Sequence, residues 1–305
     1  MFESLNLLFS MSHSAIIDPT AIVGKDVRLG SNVEIGPWCV LKGDITLGNN
    51  VKLISNVQMQ GPLKIGDGCA FYPYACIGFE PQDFKFKPGS PTPGVEIGNN
   101  CTFRENVTIH AATHASIPTR IGNNGYFMVQ SHVGHDCQVG SNVTMVNGAV
   151  LGGHCEISDF VTIGGLAAIH QFLRIGRFSF VSGYSGMTAD IPPFCMAYGR
   201  NRLMGINQVG LRRNKFAREH IQKLRTIFRL ALQRPVPRLE AIEICESHAA
   251  ECPPALEIAE FLKGGKRPIA GGALRPPREM TAFLQSVRRG EAVWASGEEE
   301  ESSMH

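Results

Sequence analysis

Ser131-His132-Val133-Gly134-His135-Asp136-Cys137-Gln138-Val139-Gly140-Ser141-Asn142 contains two copies of one six-residue unit. The unit runs small or aliphatic residue, any residue, aliphatic residue, often glycine, then two polar or small residues. Val27-Arg28-Leu29-Gly30-Ser31-Asn32 and Val33-Glu34-Ile35-Gly36-Pro37-Trp38 carry it far upstream. Tandem hexads are the signature of a parallel β-helix, in which each coil buries its inward residues only against the coils beside it. From Ala15 the inward place keeps its phase through Ile17, Val23, Leu29 and Ile35 as far as Ile77. It is interrupted from Phe79 to Gly94, a proline-rich segment that fits no hexad and reads as an external loop. It resumes with Ile97, breaks again from Ala111 to Thr119, then runs from Ile121 to Met187 and ends at Ile191-Pro192-Pro193.

Three hexads close one triangular coil, so residues about eighteen apart stack above one another. His135 and His154 are 154 − 135 = 19 apart, and His154 and His170 are 170 − 154 = 16 apart. The three imidazoles are therefore expected near one corner on consecutive coils, and that corner is the candidate active site. Binding residues of a solenoid gather on its loops, because the coils are occupied with packing. Phe79–Gly94, with Gln82, Asp83, Lys85 and Lys87, is long enough to fold over a neighbouring surface.

The composition suits this reading. The 305 residues include 33 glycines and only 18% charged residues, unusual for a helical enzyme but normal where every turn needs a tight bend. A net charge of +2 gives no argument for nucleic acid. No run of roughly eighteen apolar residues occurs, so no membrane span is expected. The 9 cysteines form no Cys-x-x-Cys pair. Cys39, Cys69, Cys101, Cys137 and Cys155 each open a hexad, where valine or alanine otherwise stands. They read as small buried hydrophobes in a reducing cytoplasm rather than as disulfides or zinc ligands.

Four segments are expected: an N-terminal extension (1–14), the β-helix (15–196), a helical segment (197–271) and a tail (272–305). The extension has a short apolar run but lacks the basic residues of a signal or transit peptide. In the helical segment Ile221, Leu224, Phe228 and Ala231 form an amphipathic stripe that Gln233-Arg234-Pro235 ends. Leu239–Ser247 and Ala255–Leu262 read as further short helices capping the open end of the solenoid. The Pro-, Arg- and Glu-rich tail is expected to be mostly disordered.

Three motifs in order carry a family resemblance. They are Ser131-His132-Val133-Gly134-His135-Asp136-Cys137, then Leu151-Gly152-Gly153-His154, then Ile163-Gly164-Gly165-Leu166-Ala167-Ala168-Ile169-His170-Gln171-Phe172. With Gln82-Asp83-Phe84-Lys85 and the helical entry Asn207 to Arg213, the chain from about Ala15 to Gly271 resembles the UDP-N-acetylglucosamine O-acyltransferases of lipid A biosynthesis. The resemblance implies a left-handed parallel β-helix followed by a helical domain. It implies a cytoplasmic homotrimer with active sites between neighbouring subunits. The reaction it implies moves a 3-hydroxyacyl chain from acyl carrier protein to the glucosamine 3-hydroxyl of UDP-N-acetylglucosamine. Neither metal nor free cofactor is implied, since the thioester arrives on the carrier's phosphopantetheine arm.

Roles follow by the same resemblance. His135 is the general base, Asp136 holds its tautomer, and the Gly153 N–H faces the oxyanion. A sugar hydroxyl is a poor nucleophile at neutral pH, and imidazole suits the removal of its proton. Because neighbours in a strand point to opposite faces, His135 and Asp136 can converge only at a corner. Gln82, Asp83, Lys85, His132, His154, His170, Gln171, Asn207 and Arg213 match substrate-binding positions, and Gly183 matches a residue that sets acyl length. Val209 and Asn214 depart from the family's usual glutamate and second arginine. The basic residues from Arg212 to Arg229 would dock an acidic carrier. Rival readings are a related sugar-nucleotide N-acyltransferase, an acetyl-CoA-dependent acetyltransferase, a zinc enzyme built on histidines (His110 and His114 among them) and a non-catalytic solenoid.

Overall fold

The computed structural model describes residues 15–113 and 116–272. The extension 1–14, His114 and nearly all of the tail lie outside the described residues. The chain winds through three stacked, mainly parallel sheets of 12, 9 and 8 strands, the faces of a left-handed parallel β-helix. Ile16–Ile17 begins the first face, Ile22–Val23 the second and Val27–Leu29 the third. Each regular coil then returns to the first face eighteen residues on, as Ile17 pairs with Ile35 and Ile35 with Leu53. The two interruptions lengthen two coils at the corner between the second and third faces, so Ile77 pairs with Ile109 and Ile109 with Val133.

The hexad places have separate physical tasks, clearest where the third face turns into the first. At Gly48-Asn49-Asn50, a Cβ on Gly48 would come within 2.4–2.8 Å of Gly66 and Asp67 on the next coil, so only glycine fits. The Asn49 N–H is covered by the Asp67 side chain at 2.7 Å, and Asp67 N–H by Asn99 at 2.8 Å. Asn50 has φ 56°, a left-handed conformation that asparagine tolerates well. It turns the chain and accepts from the Asn32 side chain at 3.1 Å. The next residue then points inward. Cys39, Cys69, Cys101, Cys137 and Cys155 are fully buried at that place, and all nine cysteines are free thiols. Phe71, Phe103 and Phe127 stack through the interior with centroids 4.7 and 4.9 Å apart.

Regular hexads end with Gly186–Met187, but the first face continues through a hairpin, Cys195–Tyr198 and Arg202–Ile206, that the hexad pattern does not announce. Left-handed Gly199 and Asn201 make its turn. Helices α1 (Gln208–Arg213), α2 (Arg218–Ile227), α3 (Arg238–Ser247) and α4 (Pro254–Lys263) follow, with a π-helical turn, Phe228–Leu232, extending α2. The stripe of Ile221, Leu224, Phe228 and Ala231 is buried as expected. Where the helical segment covers the solenoid, the corner asparagines give way to Phe160, Phe178 and Phe194, and Phe216 packs edge-on against the last two. All the described residues fall within one compact unit.

One ion pair clamps the helices to the last coil. Asp190, 1% exposed, accepts from Arg174 Nε at 3.0 Å, and the same guanidinium donates to Phe261 O at 2.9 Å and lies 4.1 Å over the Phe261 ring. Removing one member strands a buried charge, which costs about 3–5 kcal/mol. Arg174→Ala is accordingly expected to lower the denaturation midpoint by that equivalent. A loss below about 1 kcal/mol would mean that the clamp contributes no more than an exposed pair.

Candidate active site

At the corner between the second and third faces, the places filled elsewhere by Gly-Asn-Asn carry different residues. Gly134-His135-Asp136, Gly152-Gly153-His154 and His170-Gln171-Phe172 stack on three consecutive coils. His154 N–H donates to His135 O and Phe172 N–H to Gly153 O, each at 2.9 Å. Asp136, His154 and Phe172 occupy the left-handed place, with φ of 62°, 60° and 65°. That turn solves the strand-geometry problem. It swings the Asp136 carboxylate to the side of its neighbour, and Oδ2 lies 2.7 Å from His135 Nδ1. Both residues are 8% exposed.

The expected column of three imidazoles is only partly formed. His154 stands edge-on to His135 at 5.1 Å, its Nε2 3.6 Å from Asp136 Oδ2. The residue stacked on His154 is Phe172, with centroids 4.4 Å apart and planes 7° from parallel. His170 falls in the place of Gly134 and Gly152, is exposed, and contacts Gln171 O through Nδ1 at 3.2 Å. The stacking interval is a strict eighteen here, so 154 leads to 172 and separations of 19 and 16 do not superpose. Gln171 is exposed beside Phe172.

Gly153 lies directly against the His135 ring, where a Cβ would meet Cε1 at 2.5 Å and Nε2 at 2.6 Å. Its N–H is also differently placed from that of Asn49 in the structural corner. The residue eighteen later is Gln171, and among the described residues no side chain covers the Gly153 N–H as Asp67 covers that of Asn49.

His132, one coil-strand earlier, contacts Thr108 Oγ1 through Nδ1 at 2.8 Å. Burial pushes its imidazole down to about 4, helped by the charges of His110 and His135. His110 sits edge-on to it at 5.4 Å, and burial lowers this imidazole too. His110 Nδ1 is 2.7 Å from Glu80 O, at the root of the loop that holds Gln82, Asp83 and Lys85. Within that loop Asp83 Oδ1 accepts the Lys85 N–H at 2.9 Å, while Gln82 and Lys85 are exposed.

The remaining candidates stand at other corners. Gly183 lies between the first and second faces, and a Cβ there would be 3.0 Å from Gly165 O. Asn207 caps α1 at the third corner, donating to Phe178 O at 2.9 Å, and Arg213 ends that helix, exposed. Val209 is exposed on the same helix, and Asn214 closes it by donating to Gly210 O at 2.9 Å. Sequence reading missed two threonines. Thr119 Oγ1 accepts the Asp136 N–H at 2.8 Å, and the Thr113 hydroxyl donates to Asp136 Oδ2 at 2.7 Å. Both come from the second interruption of the hexads, which was the available signal.

Residues 190–270 match the family described as UDP N-acetylglucosamine O-acyltransferase, domain 2. The acyl-(acyl-carrier-protein)-UDP-N-acetylglucosamine O-acyltransferase of Thermodesulfovibrio yellowstonii is 42% identical over 255 residues, 83% of this chain and 98% of its own. The protein of that name from Burkholderia orbicola is 39% identical over 259 residues, 83% and 98% of the two chains. Among solved structures, the Francisella novicida UDP-N-acetylglucosamine acyltransferase superposes with a TM-score of 0.81 at 30% identity, covering 92% of this chain and 99% of that one.

The neutral His132 has a consequence for stability. The unfolded imidazole binds its proton near 6.5, whereas the folded one refuses it until about 4. Between those values the unfolded state holds more protons, so stability falls as pH falls through that window. His132→Gln keeps a partner for Thr108 and should flatten the melting-temperature profile between pH 6.5 and 4. A variant profile parallel to that of the wild type would show that His132 is not held neutral.

Proposed function

This chain belongs to the UDP-N-acetylglucosamine O-acyltransferase family, and from that premise we propose that His135 is its general base. The enzyme is an acyltransferase of lipid A biosynthesis that moves an acyl group from acyl carrier protein to UDP-N-acetylglucosamine. In the reading proposed here the acyl group is 3-hydroxylated and the acceptor is the glucosamine 3-hydroxyl. His135 Nε2 takes the proton of that hydroxyl as its oxygen attacks the thioester carbonyl. Asp136 keeps the Nδ1–H tautomer and stabilises the imidazolium. The Gly153 N–H donates to the tetrahedral oxyanion, an interaction worth about 2.7–4 kcal/mol in comparable sites. The imidazolium then returns its proton to the departing thiolate of the phosphopantetheine arm, and no free cofactor is required. The observation that carries this reading is the 2.7 Å contact of His135 with Asp136, with Gly153 against the opposite edge of the ring.

His135, Asp136 and His154 have ligand atoms within 4.8 Å of one another, which invites a metal. Two ligands about 2.0–2.1 Å from a tetrahedral zinc would stand roughly 3.3 Å apart. The 2.7 Å between Nδ1 and Oδ2 suits a shared proton better.

A homotrimer accounts for the scattering of candidates over three corners, since a neighbour's corner can face the second–third corner of the next chain. The faces agree. The third face is charged and ion-paired outward, as in Arg120–Glu96 at 3.0 Å. The upper first and second faces present Thr144, Thr162, Val150 and Ala168, and Leu166 and Tyr184 at the corner between them are 55% and 84% exposed. An uncharged corner of this kind is suited to lie against neighbouring copies. No helix among the described residues is long and apolar enough to cross a membrane, and we assign the enzyme to the cytoplasm, where acyl carrier protein is its partner.

Two measurements test the reading. His135→Ala should lower kcat by roughly 10²–10⁴, the usual worth of a positioned base, with little change in affinity for the nucleotide sugar. A variant within about tenfold of wild type would remove the base from the mechanism. For the carrier, Arg212, Arg213, Lys215, Arg218, Arg225 and Arg229 are exposed, while Lys223 is paired with Glu251. Charge reversal at Arg218 and Arg225 should raise KM for the acyl carrier thioester and spare KM for the nucleotide sugar. The opposite split would place that helix face at the sugar instead.

A further inference from the structure

The break in the hexads between Ala111 and Thr119 is tied down at both ends. Ala111 N–H donates to Phe79 O at 2.9 Å, Thr119 N–H to Gly94 O at 3.1 Å, and the Gln138 side chain to Pro118 O at 2.9 Å. The segment brings Thr113 against the catalytic corner. Its N–H lies 3.0 and 3.1 Å from the two Asp136 oxygens, and its hydroxyl donates to Oδ2 at 2.7 Å. Oδ2 is also the oxygen 2.7 Å from His135 Nδ1. The left-handed backbone and the Asp136 N–H to Thr119 Oγ1 fix where the side chain starts. They do not fix rotation of the carboxylate about its own bond, which is broad and soft.

We propose that Thr113 is a positioning residue of the acyl transfer, its hydroxyl and N–H locking the Asp136 carboxylate so that Oδ2 faces His135 Nδ1. The proposal rests on His135 as the base. A carboxylate free to rotate would hold the imidazole in a range of orientations, and the Nε2 lone pair would meet the sugar hydroxyl less often. The same hydroxyl supports the charge of Asp136 once the imidazolium forms, and it favours the proton remaining on the ring. Thr113 touches no reacting atom. Its effect should appear in kcat and vanish when Asp136 is no longer a carboxylate.

Thr113→Val removes the hydroxyl while keeping the N–H and the branched shape. It should lower kcat roughly tenfold, the worth of one hydrogen bond to a charged group, with KM for UDP-N-acetylglucosamine within about twofold. Thr113→Ser should recover kcat to within about threefold of wild type. In an Asp136→Asn background, Thr113→Val should cost less than a further twofold, because both changes disturb one interaction. The proposal is overturned if Thr113→Val keeps wild-type kcat, if serine does not rescue, or if the tenfold loss persists in the Asp136→Asn background. His135→Ala measured beside these variants separates the two ideas. Near-wild-type activity there sinks the base, whereas a large loss there with any of those three outcomes sinks Thr113 alone.

Discussion

The described fold depends on coils that stack at an interval of eighteen residues outside the two interruptions, with most corners turned by a left-handed residue. The interval comes from main-chain pairing, and the turn from a conformation that most side chains resist. At a purely structural corner the sequence meets both demands with glycine and asparagine, and the spare side-chain atoms satisfy the N–H groups of the adjacent coil, as Asp67 does for Asn49. The candidate active-site corner keeps the backbone and replaces those side chains. Asp136 and His154 hold left-handed geometry in the places where Asn50 and Asn142 stand elsewhere. The cost of that geometry is carried by the stack above and below, which is how a solenoid can hold strained functional residues.

The exchange also sets the electrostatics. Burial lowers the imidazoles of His132 and His110, which in the proposed mechanism weakens their opposition to a positive charge on His135. Asp136 supplies the compensating charge at 2.7 Å. Glycine at 153 lets the ring lie against the backbone, where any Cβ would strike it. In the proposed mechanism the base, the carboxylate and the backbone donor thus occupy adjacent hexads with no added element apart from the segment that bears Thr113.

The fold was legible because hexads are local and repeated. The inward phase from Ile17 to Met187, the buried cysteines and the amphipathic stripe of α2 are all evident in the sequence. The pairing of His135 with Asp136 was legible through the family resemblance and the corner position of the two residues, and they lie 2.7 Å apart. Three things were not. The register of His170 was misjudged because a period of about eighteen was applied loosely, although the strict interval puts Phe172 on His154. The hairpin Cys195–Ile206 has no period to announce it. Thr113 and Thr119 lie in an irregular segment, where the partner of a side chain is set by tertiary contacts alone. Even so, an interruption next to a catalytic hexad is itself a signal.

In the proposed trimer a site draws on more than one chain, since His135 lies between the second and third faces, Gly183 between the first and second, and Arg213 at the end of α1. Subunit mixing tests this most directly. His135→Ala and Arg213→Ala chains, each first measured alone to establish its loss of activity, would be co-refolded or co-expressed, and the hybrids assayed for acyl transfer to UDP-N-acetylglucosamine. If the neighbouring chain supplies Arg213, every hybrid trimer contains one interface with both residues intact, and activity returns to a fraction of wild type. If both residues serve a site within one chain, no hybrid has a competent site. Absence of any recovery in hybrids shown to have formed would contradict the account.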